Sequence, residues 1–247
     1  MSFNGVKGVY YREFLVLYSR RWKILMASSI SPLLFLLAFG YGVGRFSDVD
    51  GVGYLAFLIP GLIAMSSMNQ SYGISTEINI SRFYFKVFDE YLLAPIRRWE
   101  IVVGEMLYGV TRGFIPVVIV GIYGIAIGVQ MNVTPLFFLS MIMHLFIFSL
   151  LGLIVALMVK NHGDQFAVNT FVITPMVFLS GTFYPVDKMP LIVQWIAKLF
   201  PLTYSTKLIR YSLLGGELNV LLHLTILFAI FVVLFAFAYR VVSRVEA

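Results

Sequence analysis

The chain has 247 residues, of which 60% are hydrophobic and only 12% are charged, with a formal net charge of +6 and no cysteine. A soluble domain usually carries about 25% charged residues, so this composition excludes an ordinary soluble protein and indicates an all-α membrane protein. The lack of cysteine excludes disulfides and thiolate metal sites. The positive charge does not indicate nucleic-acid binding, because most Lys and Arg residues flank apolar runs.

The N-terminal segment, residues 5–23, predicts an amphipathic helix that lies in the cytoplasmic membrane interface. Its apolar side chains recur at helical spacing on one face, whereas its basic side chains fall elsewhere. The residues of the apolar face are Val6, Tyr10, Phe14 and Leu17. The alternative is an ordinary charged lead-in to the first membrane span.

Six apolar runs are long enough to cross a bilayer, whose core requires about 20 helical residues. They are residues 24–44, 54–75, 101–128, 135–159, 166–183 and 220–242. Because backbone polar groups in lipid must bond internally, these runs are predicted to be helices. They form a single transmembrane domain over residues 1–247.

The distribution of basic residues predicts the orientation of these spans. With the N-terminus in the cytoplasm, 12 of the 18 Lys and Arg residues fall inside and five fall outside, while Arg112 lies within the third run. Loops on the cytoplasmic side carry the excess of Lys and Arg in membrane proteins. Both termini are therefore expected in the cytoplasm.

The second span is unusually polar towards its end, where the sequence reads SSMNQSYGIST. Polar side chains at membrane depth face other helices or line a path, because facing lipid is costly. We expect a translocation pathway lined by residues of the second and fifth spans. The candidate residues are Met65, Met68, Asn69, Tyr72, Thr174 and Phe178.

Residues 83–95, between the second and third spans, predict a short amphipathic helix on the cytoplasmic side. Phe85, Phe88 and Leu92 fall on one helical face, and Asp89 borders it. Pro95 disfavours helix at the residue before it, so the helix should end near Leu93. Two interpretations remain: an interfacial loop held by aromatic residues, or a docking helix for a cytoplasmic partner. The docking candidates are Phe85, Phe88, Asp89, Glu90, Leu92, Leu93 and Pro95.

Three ionisable residues lie at or near membrane depth: Glu77 after the second span, and Glu105 and Arg112 in the third. Glu105 and Arg112 are seven residues apart and share a helical face. A charged residue in a membrane span is a functional candidate. These residues predict either a structural salt bridge or a gating role.

The segment 184–214 precedes the last span and predicts a re-entrant or interfacial helical hairpin on the outer side. Each of its two apolar pieces is too short to cross a bilayer alone. A seventh span is the alternative, but it would place Pro201 and the basic residues Lys198, Lys207 and Arg210 in lipid.

Motifs for nucleotide, metal or hydrolytic chemistry are missing from the sequence. It contains no G-x-x-x-x-G-K-[ST], no H-E-x-x-H and no G-x-S-x-G. The three histidines, His144, His162 and His223, are scattered over two spans and a loop. His144 and His223 are interpreted as hydrogen-bonded groups inside the bundle. We therefore expect no metal, no bound cofactor and no enzymatic activity in this chain by itself.

Three stretches together resemble the type-2 permeases of ABC exporters, the group that includes nodulation-type lipo-oligosaccharide exporters and drug-efflux permeases. They are FLIPGLIAMSS at 57–67, DEYLLAPIRRWEIVVGEMLYGVTRG at 89–113 and FLSGTFYPVDKMPLIVQWIAKLFPLTYSTKLIR at 178–210. The resemblance covers nearly the whole chain. It implies that the segment containing DEYLLAP is a coupling helix seated in a cleft of an ATPase, and that residues 184–214 are the outer re-entrant element.

The resemblance further implies an exporter subunit in the cytoplasmic (inner) membrane of a bacterium or archaeon. Two copies of the chain would form a homodimer in membrane lipid, with two copies of a separate ATPase that binds ATP and Mg²⁺. The expected substrate is amphipathic: a lipid-linked glycan, a lipid or an apolar drug. No nucleic-acid partner is expected.

Two other classes of function are weaker alternatives. A channel or ion-coupled carrier that works without an ATPase predicts inverted repeats and ionisable residues deep in several spans. The sequence shows no repeat, and its charges gather at the span boundaries. A membrane anchor or membrane enzyme is disfavoured by the long outer hairpin and the missing catalytic motifs.

Overall fold

The computed structural model describes residues 4–42, 48–49 and 52–244. All the long elements in this part of the chain are helices. They are α1 (Asn4–Ser19), α2 (Arg21–Phe35), α3 (Tyr54–Tyr72), α4 (Ile74–Phe83), α5 (Val87–Leu93), α6 (Arg98–Ala126), α7 (Pro135–Met158), α8 (His162–Val168), α9 (Thr174–Leu179), α10 (Leu191–Ala197), α11 (Pro201–Leu214) and α12 (Val220–Arg244).

Short elements of other types connect or extend these helices. A π-helical turn, Leu36–Tyr41, continues α2, and a second one, Asn169–Ile173, joins α8 to α9. A 3-10 turn, Val186–Lys188, precedes α10. Two antiparallel strands of two residues each, β1 (Asp48–Val49) and β2 (Val52–Gly53), lead into α3.

Four helical segments in the described residues are long and apolar enough to cross a membrane. They are Arg21–Gly40, Arg98–Ala126, Pro135–Met158 and Val220–Arg244. These segments coincide with the first, third, fourth and sixth predicted spans. The first span was predicted to end at residue 44, and its last two residues lie outside the described part of the chain.

The second and fifth predicted spans are helical but interrupted. α3 has 19 residues, and its polar residues, such as Asn69 and Gln70, lower its mean hydropathy. At Gly73 the chain passes from α3 into α4. The fifth span corresponds to α8, the π-helical turn and α9, which together cover residues 162–179.

α3 lies at the centre of the bundle, where α6, α7 and α11 pack around it. Of its 19 residues, 15 are buried. A helix that is surrounded by protein must satisfy its polar side chains internally. The Ser71 hydroxyl lies 3.0 Å from the Gly109 carbonyl oxygen of α6 and 2.8 Å from the Ser149 hydroxyl of α7. Gly113 of α6 permits this approach, since a Cβ there would lie 3.0 Å from the Ser71 Cβ.

α1 packs along the first part of α6. Its buried residues are Gly5, Val6, Val9, Glu13 and Leu17. The sequence predicted a face that included Phe14, but Phe14 is exposed. The buried face is rotated because Val9 meets Gly104 of α6, where a Cβ would lie 2.7 Å from the Val9 Cβ. The Tyr10 and Thr111 hydroxyls are 3.0 Å apart and form a second contact between α1 and α6.

α10 and α11 form a hairpin whose two ends lie close together. The Lys207 ammonium lies 3.4 Å from the Asp187 carboxylate, which joins α11 to the start of the hairpin. Arg210 donates to the Gly181 carbonyl oxygen at 2.8 Å. At the end of α11, the Asn132 amide of the α6–α7 loop donates to the Leu213 carbonyl oxygen at 2.8 Å. The start and the end of the hairpin therefore meet at one end of the bundle.

The second arm of this hairpin, α11, packs between α3, α7 and α12. Its polar residues Ser205 and Thr206 are fully buried. Ser205 contacts His144 near the middle of α7, with its hydroxyl 2.9 Å from the imidazole Nδ1. The hairpin thus reaches into the bundle.

Candidate functional site

The segment between α4 and α6 follows the end of α3 that lies opposite the ends of the α10–α11 hairpin. Helix α4 ends at Phe83, and Lys86 adopts a left-handed conformation with φ 52° before α5 starts at Val87. After α5, Ala94 is extended because Pro95 follows it. We call residues 84–95 the coupling segment, after the coupling role that the family resemblance implies for them.

α6 begins directly after the coupling segment, with Glu100 at its first turn. The Arg97 amide donates to the Glu100 carboxylate at 2.7 Å, and the Glu100 amide donates to the Arg97 carbonyl oxygen at 2.9 Å. This reciprocal arrangement satisfies amides at the helix start and places a carboxylate where the helix dipole favours it. The junction between the coupling segment and α6 is therefore well defined.

The coupling segment exposes large apolar side chains. Phe85 is 66% exposed and Leu93 is 78% exposed, and Glu90 and Pro95 are also exposed. Phe85 was predicted to share a helical face with Phe88 and Leu92, but α5 begins at Val87, so Phe85 lies in the turn before the helix. The side chains of three further candidates lie outside the described part of the structure: Phe88, Asp89 and Leu92.

One side chain of the coupling segment points inwards and attaches it to α1. The Tyr91 hydroxyl donates to the Glu13 carboxylate at 3.1 Å. Arg12 forms an ion pair with Glu13, and its guanidinium carbon lies 5.9 Å from the centre of the Tyr91 ring. Burial raises the pKa of Glu13, against the opposing effect of Arg12. Burial and the nearby Glu105 and Glu13 carboxylates raise the pKa of Tyr91, so its hydroxyl stays protonated and donates.

A second set of polar side chains connects α6 to α4 and α3. Arg112 of α6 lies 2.8 Å from the Glu77 carboxylate of α4, and its Nε donates to Gln70 of α3 at 2.9 Å. The Tyr108 hydroxyl also donates to Glu77. A buried charge pair is tolerated when further hydrogen bonds satisfy both partners, as Gln70 and Tyr108 do here.

Glu105 sits between the two polar groups and is 1% exposed. The sequence placed Glu105 and Arg112 on one helical face, yet Arg112 pairs with Glu77 instead. One oxygen of Glu105, Oε2, has no hydrogen-bond partner among the described residues. Burial of a carboxyl oxygen without a hydrogen-bond partner is costly.

The predicted pathway residues divide into two sets. Met65, Met68 and Tyr72 are buried in the core of the chain, whereas the remaining three lie on its surface. The surface set is Asn69, Thr174 and Phe178. One contact joins the second and fifth spans directly, where the Tyr72 hydroxyl donates to the Asn169 side chain at 2.8 Å. A path formed between two copies of the chain could use only the surface set.

Several connecting residues were not singled out from the sequence. Tyr91 and Glu13 are 78 residues apart, and nothing local indicates that they meet. One signal was present: Glu13 follows Val9 by four residues and precedes Leu17 by four, so it lies on an apolar helical face. An acidic residue in that position predicts a buried partner.

His144 was interpreted as a structural histidine inside the bundle, and its surroundings agree with that role. Its imidazole lies 3.0 Å from the Ser67 hydroxyl of α3 and 2.9 Å from the Ser205 hydroxyl of α11. It therefore joins the central helix, the fourth span and the hairpin.

Comparison with known proteins identifies the family of the chain. Residues 5–214 match the family model for ABC-2 type transporters. Nodulation protein J of Rhizobium leguminosarum bv. viciae is 31% identical over 240 residues, which cover 96% of this chain and 93% of that protein. The inner membrane transport permease YadH of Escherichia coli K12 is 30% identical over 201 residues, covering 80% of this chain and 78% of that protein.

Another similar protein is Nodulation protein J of Rhizobium meliloti strain 1021, which is 30% identical over 205 residues. The matches extend over most of the chain, through α1, the coupling segment and the α10–α11 hairpin. The family had been suggested by the resemblance of three sequence stretches, and the comparisons confirm it. The chain belongs to the ABC-2 type transporter family, the membrane subunits of ABC transporters.

Proposed function

We propose that the chain is the permease subunit of an ATP-driven exporter and that the coupling segment docks on a separate ATPase. The observation that carries this proposal is the exposure of Phe85 and Leu93 beside Glu90, in a segment that Tyr91 attaches to the bundle. Large apolar side chains beside a charged one are suited to a protein interface. ATP and Mg²⁺ bind to the ATPase in this proposal.

The polar groups behind the coupling segment offer a route for its movement into the bundle. Movement of α5 would displace Tyr91, which donates a hydrogen bond to Glu13 of α1. α1 packs on α6, and α6 carries Arg112, which holds Glu77 of α4. In this proposal Glu105, buried between the two sets of polar side chains, makes the arrangement sensitive to small displacements, because its Oε2 has no hydrogen-bond partner among the described residues.

The proposed topology has six crossings with both termini in the cytoplasm. Its support is that the coupling segment and the ends of the α10–α11 hairpin lie at opposite ends of α3. Phe57, near the start of α3, accepts a hydrogen bond from Arg210 of the hairpin at 3.2 Å. Tyr72, at the other end, is followed by Gly73 and by α4, which leads to the coupling segment. The hairpin is then re-entrant from the outer side.

Two copies of the chain would enclose the pathway, as a homodimer of twelve spans with two ATPases. The fifth span supplies a suitable face, because it exposes Phe171, Phe178 and Thr174 on one chain. Aromatic rings beside hydroxyl groups suit a molecule with both apolar and polar parts. We propose an amphipathic substrate, such as a lipid-linked glycan, a lipid or an apolar drug.

The docking proposal is tested with Phe85→Ala/Leu93→Ala and the separate ATPase of the proposal, recognised by its Walker motif. Loss of buried anchors at an interface often costs about 2 kcal/mol or more, which lowers affinity roughly thirtyfold. We expect the variant to reach the membrane at normal levels and to lose co-purification with the ATPase.

Leu199→Ala is the matched control, because Leu199 is 79% exposed and lies in the hairpin. It should co-purify with the ATPase as the parent does. Normal co-purification and transport by the Phe85→Ala/Leu93→Ala variant would refute the docking proposal.

A further inference from the structure

A basic cavity lies at the end of the bundle that carries the coupling segment. It has a volume of about 660 Å³ and is formed between α4, α7 and α12. Its lining residues are Arg82, Leu157, Met158, Phe237, Arg240, Val241 and Arg244. Three of the seven are arginines and none is acidic, so the cavity is suited to an anion.

The arginines converge from two different elements. Arg240 and Arg244 are one helical turn apart on α12, so they project from the same face. Arg82 lies in the last turn of α4, and its guanidinium donates to the Leu157 carbonyl oxygen at the end of α7 at 2.8 Å. That bond holds Arg82 at the cavity, while Arg240 and Arg244 remain exposed.

The rest of the lining is apolar and continues along the helices away from this end. Phe237 is 43% exposed and Met158 is 58% exposed, although both lie in helices apolar enough to cross a membrane. The cavity therefore joins a cationic rim to an exposed apolar wall. A soluble anion would use only the rim, whereas a phospholipid would use both parts.

We propose that this cavity binds one anionic phospholipid, with its phosphate among Arg82, Arg240 and Arg244 and its acyl chains along Phe237 and Met158. Basic pockets between membrane helices on the cytoplasmic side are suited to acidic headgroups. Guanidinium groups bind phosphate oxygens in paired hydrogen bonds. The bound lipid would join α4, which leads into the coupling segment, to the last span.

The proposal is tested by measuring lipid binding to the purified chain, with phosphatidylglycerol and phosphatidylcholine as the two probes. Native mass spectrometry reports which lipid stays bound. We expect the parent chain to retain phosphatidylglycerol in preference to phosphatidylcholine. Arg240→Gln/Arg244→Gln should weaken phosphatidylglycerol binding roughly thirtyfold, the equivalent of about 1 kcal/mol for each basic group near the membrane surface.

A matched control removes the same charge elsewhere on the membrane surface. Arg20→Gln/Lys23→Gln changes two exposed basic residues at the junction of α1 and α2, outside the cavity. It should leave the lipid preference unchanged. Equal losses in both variants would mean that general surface charge attracts the lipid, and the proposed site would be wrong.

Two further experiments cover the remaining outcomes. If the double variant does not accumulate, Arg244→Gln alone removes one guanidinium in the last turn of α12 and should weaken binding about fivefold. Glycerol phosphate, which has the headgroup charge without acyl chains, should not displace the lipid. Displacement by glycerol phosphate would identify a site for a soluble phosphate and overturn the lipid proposal.

Discussion

The coupling segment and α11, the second arm of the α10–α11 hairpin, both lie between long helices, yet they differ in how completely one chain buries them. In the hairpin, α11 buries Ser205 and Thr206 at the centre of the bundle. In the coupling segment, Phe85 and Leu93 remain exposed. The difference indicates that α11 is complete within one chain, whereas the coupling segment has apolar surface available for a partner, as the first arm α10 has at Leu191 and Trp195.

The two regions are also held by different forces. Behind the coupling segment lie charged groups with partners on α1, α4 and α6. The part of α11 inside the bundle is held by neutral hydroxyl and imidazole contacts and by close packing, and charged groups join the ends of the hairpin, at Lys207 and Arg210. Coulomb interactions fall off slowly with distance, so displacement of one charged group changes the interaction energy of its partners. Neutral contacts in a packed core are short in range and keep one arrangement.

The largest effect is expected from the ion pair behind the coupling segment. Arg112→Gln removes the charge that compensates Glu77, and both side chains are largely buried. Loss of one partner of a buried pair costs about 3–5 kcal/mol. We expect a strong decrease in the thermal unfolding temperature of the purified chain.

The double variant Arg112→Gln/Glu77→Gln separates charge from packing. It should recover most of that stability, because no uncompensated charge remains. If the single and double variants are equally destabilised, the loss of stability does not come from the uncompensated charge of Glu77.

A smaller loss is expected in the hairpin contact. His144→Ala removes an imidazole between the Ser67 and Ser205 hydroxyls and leaves a cavity. The free energy of unfolding should fall by about 2–3 kcal/mol, as for other unsatisfied buried polar groups. Thermal unfolding measures it, with His223→Ala as the control at a half-buried histidine in the first turn of α12. Equal stability of the two variants would contradict the role of His144 in holding the hairpin.

The smallest effect concerns the pH dependence of stability. Burial raises the pKa of Glu13 in the folded chain above its ordinary value of 4.5. The folded chain therefore binds the proton more tightly than the unfolded chain. The contribution of Glu13 to stability is full below the ordinary value and is lost as the pH rises through the raised pKa.

Glu13→Gln should remove that part of the pH dependence, because the amide does not titrate. The pH-dependent part of the free energy of unfolding that is lost should be about 1 kcal/mol, similar to the contribution of one hydrogen bond. Unfolding temperatures across the acidic range measure it. A slope that is the same in Glu13→Gln and in the parent chain would show that Glu13 does not titrate in this range.

The sequence was sufficient for the long apolar helices. Apolar runs at 101–128 and 135–159 correspond to α6, Arg98–Ala126, and α7, Pro135–Met158. Length and hydropathy determine such helices because lipid leaves the backbone no other partner. They do not determine interruptions, such as the π-helical turn at Asn169–Ile173.

Contacts between helices were harder to anticipate. The sequence placed Glu105 and Arg112 on one face, but the rotation of α4 brings Glu77 to Arg112. In the same way, Gly104 of α6 sets which face of α1 is buried. Helical periodicity gives the faces of one helix, whereas pairing depends on how two helices are packed.

The most direct test of the account is a cross-link between the coupling segment and the ATPase. The chain contains no cysteine, so Leu93→Cys and Leu199→Cys each introduce a single thiol at similarly exposed positions in the two regions. A short thiol-to-amine cross-linker in membranes that contain both proteins should join Leu93→Cys to the ATPase and leave Leu199→Cys unlinked. A cross-link from Leu199→Cys, or none from Leu93→Cys, would contradict the assignment of the coupling segment as the docking site.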